Sequence, residues 1–448
     1  MSNDPLTALV SIISSSVQNL QKSYSEQSLK LPTLDERYIP VPLDNDSQIK
    51  DSVERIVAAA TQLIAAVRYP RDTIHEQAQS MYLSALLAFV VDVNIPEILN
   101  EVHNKSLHAK DIASRIGCDP SHISRVLRYL ATRHIFKEVV PGEFANNRVS
   151  YELIKANNKT VAELQEKPLE KYADSGTAAF VGHAVGEGLM SSTALSDFLK
   201  SGGKHAKTPF NAAFNTDLTL WDWFTTSENS WRFGRFVAAM HHFAEGFKDE
   251  IFVNGYNWGK LTSNDVVVDV GGNMGTVTMA LAKAFKEPKF IIQDLSPVIS
   301  QAKGFWEEYD FFTEQPIKGA AVYFLRFIIQ DWPTSEAIKI LKRIREAANP
   351  SSSKLILFEF NVPYACEDPN TYPESIEVRT APYPLLPNLG KGGGPNPTYV
   401  DIQMMTMLNG QGRDLGELIA LGEASGWKLE AAKNDELSIF VFSPMWVF

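Results

Sequence analysis

The sequence predicts an α/β protein: a C-terminal Rossmann-like nucleotide-binding domain preceded by a helical, winged-helix domain. Three observations carry this. From Asp265 onward, short apolar runs alternate with segments of helical periodicity. A glycine turn (Gly271, Gly272, Gly275) joins the first run to the first of those helices, and Asp294 ends the second run. Upstream, residues 107–155 read as helix, turn, helix and hairpin. At 448 residues the chain exceeds one ordinary core. The expected domains are 1–165, helical and winged-helix, and 166–448, a helical pocket segment followed by the nucleotide-binding fold.

Residues 1–100 are expected to be helical. Ile56, Ala59, Ala60, Leu63 and Val67 recur at helical spacing, as do Tyr82, Leu83, Leu86, Leu87 and Val90. Residues 31–43, with Pro32, Pro40 and Pro42, read as an extended arm. Helices are expected over 109–116 and 121–131, the second capped by Asp119 or Ser121, with a hairpin over 136–149. This winged helix reads as a buried dimerisation module, with DNA binding the lesser alternative. Residues 166–250 are helical and rich in aromatics, among them Trp223, that suit the wall of a large apolar pocket. Strands follow over 266–270, 290–293, 320–325 and 355–360, with helices over 276–285 and 335–348, and a third expected before Asp310. Residues 361–399 form a long Pro/Gly-rich connection of the kind that is either a functional lid or disordered.

The bulk numbers exclude several classes. A net charge of −11 opposes a protein that tracks nucleic-acid phosphates. Cys118 and Cys366 make neither a metal-ligand spacing nor a disulfide framework, so no metal is expected and a reducing, cytoplasmic setting fits. The N-terminus has no basic leader, and no run approaches the ~18 apolar residues of a membrane span.

Residues 267–275 read VVDVGGNMG. Asp269 ends a strand, and the glycines let the backbone turn tightly and approach a ligand. Asp294, 25 residues after Asp269, suits the two ribose hydroxyls of a nucleoside. Asp310 and Phe311 suit an adenine, by hydrogen bond and by stacking. A nicotinamide cofactor would favour G-x-G-x-x-G. The form D-x-G-G-x-x-G instead resembles the pattern of S-adenosylmethionine (SAM) sites, where no pyrophosphate needs the helix N-terminus.

The blocks DVGGNMG, QDLSPV, YDFFTEQPIKGAAVYFLR, DWPTSEAIKIL and KLILFEFNVP, with the winged helix before them, resemble the fungal branch of SAM-dependent O-methyltransferases over roughly residues 80–448. The resemblance implies a homodimer whose N-terminal helices dimerise and donate pocket walls to the partner. It implies SAM or S-adenosylhomocysteine (SAH) contacts from Gly271, Asp294, Leu295, Asp310, Phe311 and Arg326. Met240 aligns with a substrate-wall position, and Thr406 is expected to line the opposite side.

The catalytic positions depart from the family. Its histidine base, flanked by two acids, is here Gln330, followed by Asp331 and Trp332. Glu359 matches the first acid. Gly412 stands where the second belongs, with Asp414 out of register. All nine histidines lie at or before His242. Glutamine donates and accepts hydrogen bonds but is no base near neutrality, and general-base catalysis is worth about 10²–10⁴ in rate. The pattern resembles methyltransferase-like pericyclases of fungal polyketide and pyridone pathways, which bind SAM without transferring its methyl. That resemblance implies a cycloaddition or ene-type step on a large apolar substrate, accelerated by positioning and by donors aimed at a carbonyl. Gln330 is the expected donor. Arg232, Thr226 and His183 are candidates to polarise or dehydrate the substrate. The alternatives are an O-methyltransferase acting on an acidic phenol or enol, and a silent SAM-binding regulator.

Overall fold

A computed structural model describes residues 4–102, 105–155, 159–167, 170–172, 175–295, 306–393, 397–433 and 437–446, without the side chain at position 245. It comprises two compact units, residues 1–246 and 247–448. The helical segment 166–246, grouped by its sequence with the catalytic half, packs within the first unit.

In the first unit, the long helices Pro5–Glu26 and Ser47–Val67 pack against each other. Strand β1 (Leu107–His108) leads into helix Ala109–Ile116, which Gly117 closes in the left-handed region at φ 69°. Asp119 then caps helix Pro120–Ala131 by accepting the Ser121 N–H at 2.7 Å. Strands β2 (Lys137–Val140) and β3 (Glu143–Ala145) complete a three-stranded antiparallel sheet in the order β1-β3-β2. Ile112, Leu127, Leu130, Phe136 and Phe144 bury its apolar face with Ala178, Ala179 and Ala239 from later helices. The expected arm over 31–43 is tied down: the Arg148 N–H donates to the Leu34 carbonyl at 2.9 Å, and Lys137 pairs with Asp35.

The second unit is built on seven strands. They are β4 (Val266–Val270), β5 (Lys289–Asp294), β6 (Trp306–Glu308), β7 (Val322–Arg326), β8 (Lys354–Glu359), β9 (Trp427–Lys433) and β10 (Ser438–Pro444). Their order is β6-β5-β4-β7-β8-β10-β9. The first five are parallel, and β10 is antiparallel to both β8 and β9. Parallel strands covered on both faces must be apolar throughout, which is why the runs at 266 and 355 read as continuous. On one face, Val268, Val270, Leu355 and Leu357 pack with Ile340, Leu341 and Ile344 of helix Thr334–Ala347. On the other, Phe324 and Phe358 meet Trp258 and Phe252 edge-on. The order reverses at β4, so β4, β5 and β7 open a crevice at their C-terminal ends. The helix expected before Asp310 falls on 296–305, outside the described residues, as does 296–298 of the QDLSPV block. The segment just before Asp310 is strand β6.

Candidate nucleotide crevice and catalytic loop

The glycine turn closes the crevice as its spacing predicts. Gly271 and Gly275 both sit at φ 75°, and the Gly271 and Gly272 N–H groups donate to the Gln293 carbonyl at 2.8 and 3.1 Å. There is no room for side chains. A Cβ at Gly271 would lie 2.5 Å from Ile328 Cδ1, and one at Gly272 2.6 Å from the Asp269 carboxyl carbon. Asp294 Oδ2 accepts the Asn273 N–H at 2.8 Å, and Oδ1 accepts the Leu295 N–H at 2.7 Å. Each oxygen keeps a lone pair, enough for two ribose hydroxyls. Burial holds the Asp294 carboxyl above the usual range against those two N–H groups. Asp269 is buried and accepts from Thr278 Oγ1 at 2.7 Å. Burial pushes it up to about 7, against the pull of Thr278 and Arg326. Asp269 therefore anchors the turn.

Asp310 is exposed and uses Oδ1 on the Phe312 N–H at 3.0 Å, leaving Oδ2 for a ligand amine. Phe311 stacks edge-on against Trp332 and Phe312, with centroids 5.8 and 5.2 Å away. Leu295 is exposed beside Asp294. Arg326 ends β7. Burial lowers its affinity for the proton, while Asp269 and Glu359 counter this. The cradle, the ribose acid and the adenine-sized edge fit SAM or SAH; Gly271, Asp294, Leu295, Asp310 and Phe311 would hold it.

The loop that carries the candidate catalytic position follows β7. Phe327 takes φ 55°, and a short 3₁₀ turn spans Ile329–Asp331. Glu359 Oε1 accepts the Ile328 and Ile329 N–H groups at 3.0 and 2.8 Å. Glu359 Oε2 is buried without a hydrogen-bond partner among the described residues. Burial lifts this carboxyl to about 7, against those N–H groups and the Arg413 charge. Asp331 is half-buried, and burial followed by the Glu359 charge raises it well above the carboxylate range. Gln330 is half-buried, and its carbonyl accepts the Gln411 N–H at 2.9 Å. That pairing brings Gly410 so close that a Cβ there would lie 2.4 Å from the Gln330 oxygen.

The loop at 410–414 has no carboxylate at the acid position. Gly412 donates its N–H to Asp401 Oδ1 at 2.7 Å, and a Cβ at Gly412 would meet Val362 Cγ2 at 2.8 Å and Asp401 Cβ at 2.9 Å. Asp414 caps helix Leu415–Ala424 reciprocally with Glu417. Arg413, missed by the sequence reading, is the staple of the site. Its guanidinium donates to the carbonyls of Ile329, Gln411 and Trp332, each at 2.9 Å.

Other predicted residues have local duties. Thr406 is buried and donates its hydroxyl to the Ile402 carbonyl of its own helix at 2.7 Å. In the first unit, Thr226 donates to the Trp223 carbonyl at 2.8 Å and accepts from Asn229 at 2.9 Å, so its hydroxyl is spent on a turn. Met240 packs against the first unit's core. Trp223 is buried among Phe210, Phe214 and Phe224.

His183 and Arg232 are brought together by Glu187, which the sequence reading missed. Helix Gly176–His183 widens into a π-turn over Ala184–Leu189, and this sets Glu187 fully inside. Glu187 Oε1 accepts from Arg232 Nη1 and Arg235 Nη2, both at 2.6 Å; Oε2 accepts from Arg235 Nη2 at 2.8 Å and faces His183 Nδ1 at 3.0 Å. Burial opposes its charge, but His183 and the arginines outweigh it and hold the carboxyl below its usual range.

Among the described residues, no helix is long and apolar enough to cross a membrane, and no cluster of His, Cys, Asp and Glu could hold a metal ion. Residues 193–378 match the O-methyltransferase domain, and residues 75–156 the O-methyltransferase dimerisation domain. An O-methyltransferase of Armillaria gallica is 32% identical, over 98% of this chain and 98% of the relative. The mitomycin 7-O-methyltransferase MmcR shares the fold at TM-score 0.65 and 20% identity, covering 85% of this chain and 99% of that one. A protein described as a pericyclic reaction enzyme does so at TM-score 0.64 and 22% identity, covering 88% and 94%. Structures of this fold have been solved with SAM and with SAH bound. The nucleotide crevice, the two matched domains and the full-length likeness to a fungal enzyme place this chain in the SAM-dependent O-methyltransferase family.

Proposed function

We infer that this protein is a SAM-binding enzyme of fungal secondary metabolism that closes a ring by a cycloaddition or ene-type step, coupled to dehydration where an alcohol precursor is used, without methyl transfer. One observation carries the reading: the position of the family's base is Gln330, in a unit whose sequence has no histidine from Phe247 onward. Glu359 Oε2, buried without a hydrogen-bond partner among the described residues, is compatible with it. The likeness to a pericyclic reaction enzyme is compatible with it at the level of the fold.

Bound in the crevice, SAM supplies a sulfonium whose positive field acts most strongly where water is excluded. Asp294 and the glycine turn would hold the nucleoside. Arg413 and Glu359 fix the backbone of 328–332, so the Gln330 amide is presented from an anchored loop. That amide is suited to donate to a conjugated carbonyl, lowering the barrier to bond reorganisation. The substrate is a large apolar small molecule of polyketide or pyridone type. The working form is a homodimer, in keeping with the dimerisation-domain match.

A second reading has its own support. Glu359, lifted to about 7, is poised to accept a proton at neutral pH, and the full-length relative is named an O-methyltransferase. Methyl transfer to an acidic phenol or enol would follow. Nucleotide-stripped protein given polyene-pyridone substrate and a trace of SAM separates the two. Cyclised product in large molar excess over SAM supports ring closure, and product capped at the SAM supplied supports methyl transfer.

A further inference from the structure

The geometry points to a recognition site for the anionic oxygens of a planar ligand, such as a carboxylate or enolate, at Arg232 in the first unit. This stands whether or not the second unit transfers a methyl group. It begins with charge. Arg232 and Arg235 share one carboxylate, Glu187, so one positive charge in the cluster is uncompensated. Arg235 is the structural partner. It is 7% exposed, donates to both oxygens of Glu187 and lies in a slot cut by two glycines. A Cβ at Gly186 would lie 2.5 Å from its Nη2, and one at Gly182 2.8 Å from its Cδ.

Arg232 is different. It is 24% exposed and gives Glu187 only Nη1. Its Nε and Nη2 have no partner among the described residues. Those two N–H groups form the parallel fork that matches a carboxylate or a chelated enolate. Aromatic rings surround the guanidinium: Trp231 at 4.6 Å, Trp223 at 5.4 Å and Phe214 at 5.9 Å to the ring centroids. Rings strip water from the cation without neutralising it, and offer stacking surface to a flat ligand. Glu187 acts as a positioning residue, fixing one edge of the fork so that the other meets the ligand preorganised.

The test uses 2-naphthoate and its neutral counterpart 2-naphthamide, titrated calorimetrically into the full chain. The acid is expected to bind about tenfold tighter than the amide, as one charge-assisted fork would give. Arg232→Met is expected to bring the ratio to about one, and Arg232→Lys to leave a few-fold preference, both in protein that still folds; Arg232→Met also lowers the melting temperature, because buried Glu187 loses one of its two arginine partners. Equal affinity of the intact protein for acid and amide, binding of neither, or a preference that survives Arg232→Met in folded protein would overturn the assignment.

Discussion

Glu359 holds Ile329: its Oε1 accepts the Ile329 N–H at 2.8 Å, while its Oε2 lies buried with no hydrogen-bond partner among the described residues. The carboxylate grips the loop through Oε1. A pH dependence follows. Glu359 rises from 4.5 to about 7 on folding and Asp269 from 3.8 to about 7. The native state then binds more protons than the unfolded chain between those limits. Their contribution is full below about pH 4 and is lost as pH rises through 7, at most about 3 kcal/mol for Glu359 and about 4 kcal/mol for Asp269. Melting temperature of the nucleotide-free protein is expected to fall between pH 5 and 8, and Glu359→Gln to flatten part of that slope.

Arg413→Met is expected to destabilise the protein by about 3–5 kcal/mol, since it strands three carbonyls at a site only 3% exposed. Denaturant titration measures this. Arg413→Lys is expected to recover little, because one ammonium cannot reproduce the fork's spread of donors.

Asp294→Asn is expected to weaken SAH binding at least tenfold and to cost about 1–3 kcal/mol, since an amide cannot accept from both ribose hydroxyls and both N–H groups. Gly271→Ala is expected to abolish binding and cost about 1–3 kcal/mol, from φ 75° and the contact with Ile328. Calorimetric titration with SAH checks both.

Gln330→His alone is expected to fold normally, because the backbone there is fixed by Gln411, and to gain at most trace methyl transfer. The second acid cannot simply be added back. Gly412→Glu would press on Asp401 and Val362 and is expected to lower the melting temperature. An SAH-release assay on both variants and their combination tests this.

What the sequence could show was local. Strand 266–270 and helix 109–116 fall where expected, since one is a continuous apolar run and the other has a cap, a periodic face and a closing glycine. The glycine turn and the strand end at Asp294 were legible because a tight turn at φ 75° favours glycine and an apolar run stops at its first acid. The C-terminal pair β9 and β10 was missed. Residues 427–433 mix charged and small residues on an edge strand, without the buried run that marks its neighbours. Glu187 was invisible because its meaning lies in Arg232 and Arg235, some 45 residues away, and in a π-turn that no local pattern announces. Thr226 and Thr406 looked available for a ligand because the carbonyls that engage them carry no sequence signal.

The most direct measurement is the fate of methyl-labelled SAM while the enzyme consumes a polyene-pyridone or phenolic substrate. The label should stay in SAM as cyclised product accumulates, with no matching rise in SAH. Labelled product appearing in step with SAH would contradict the account.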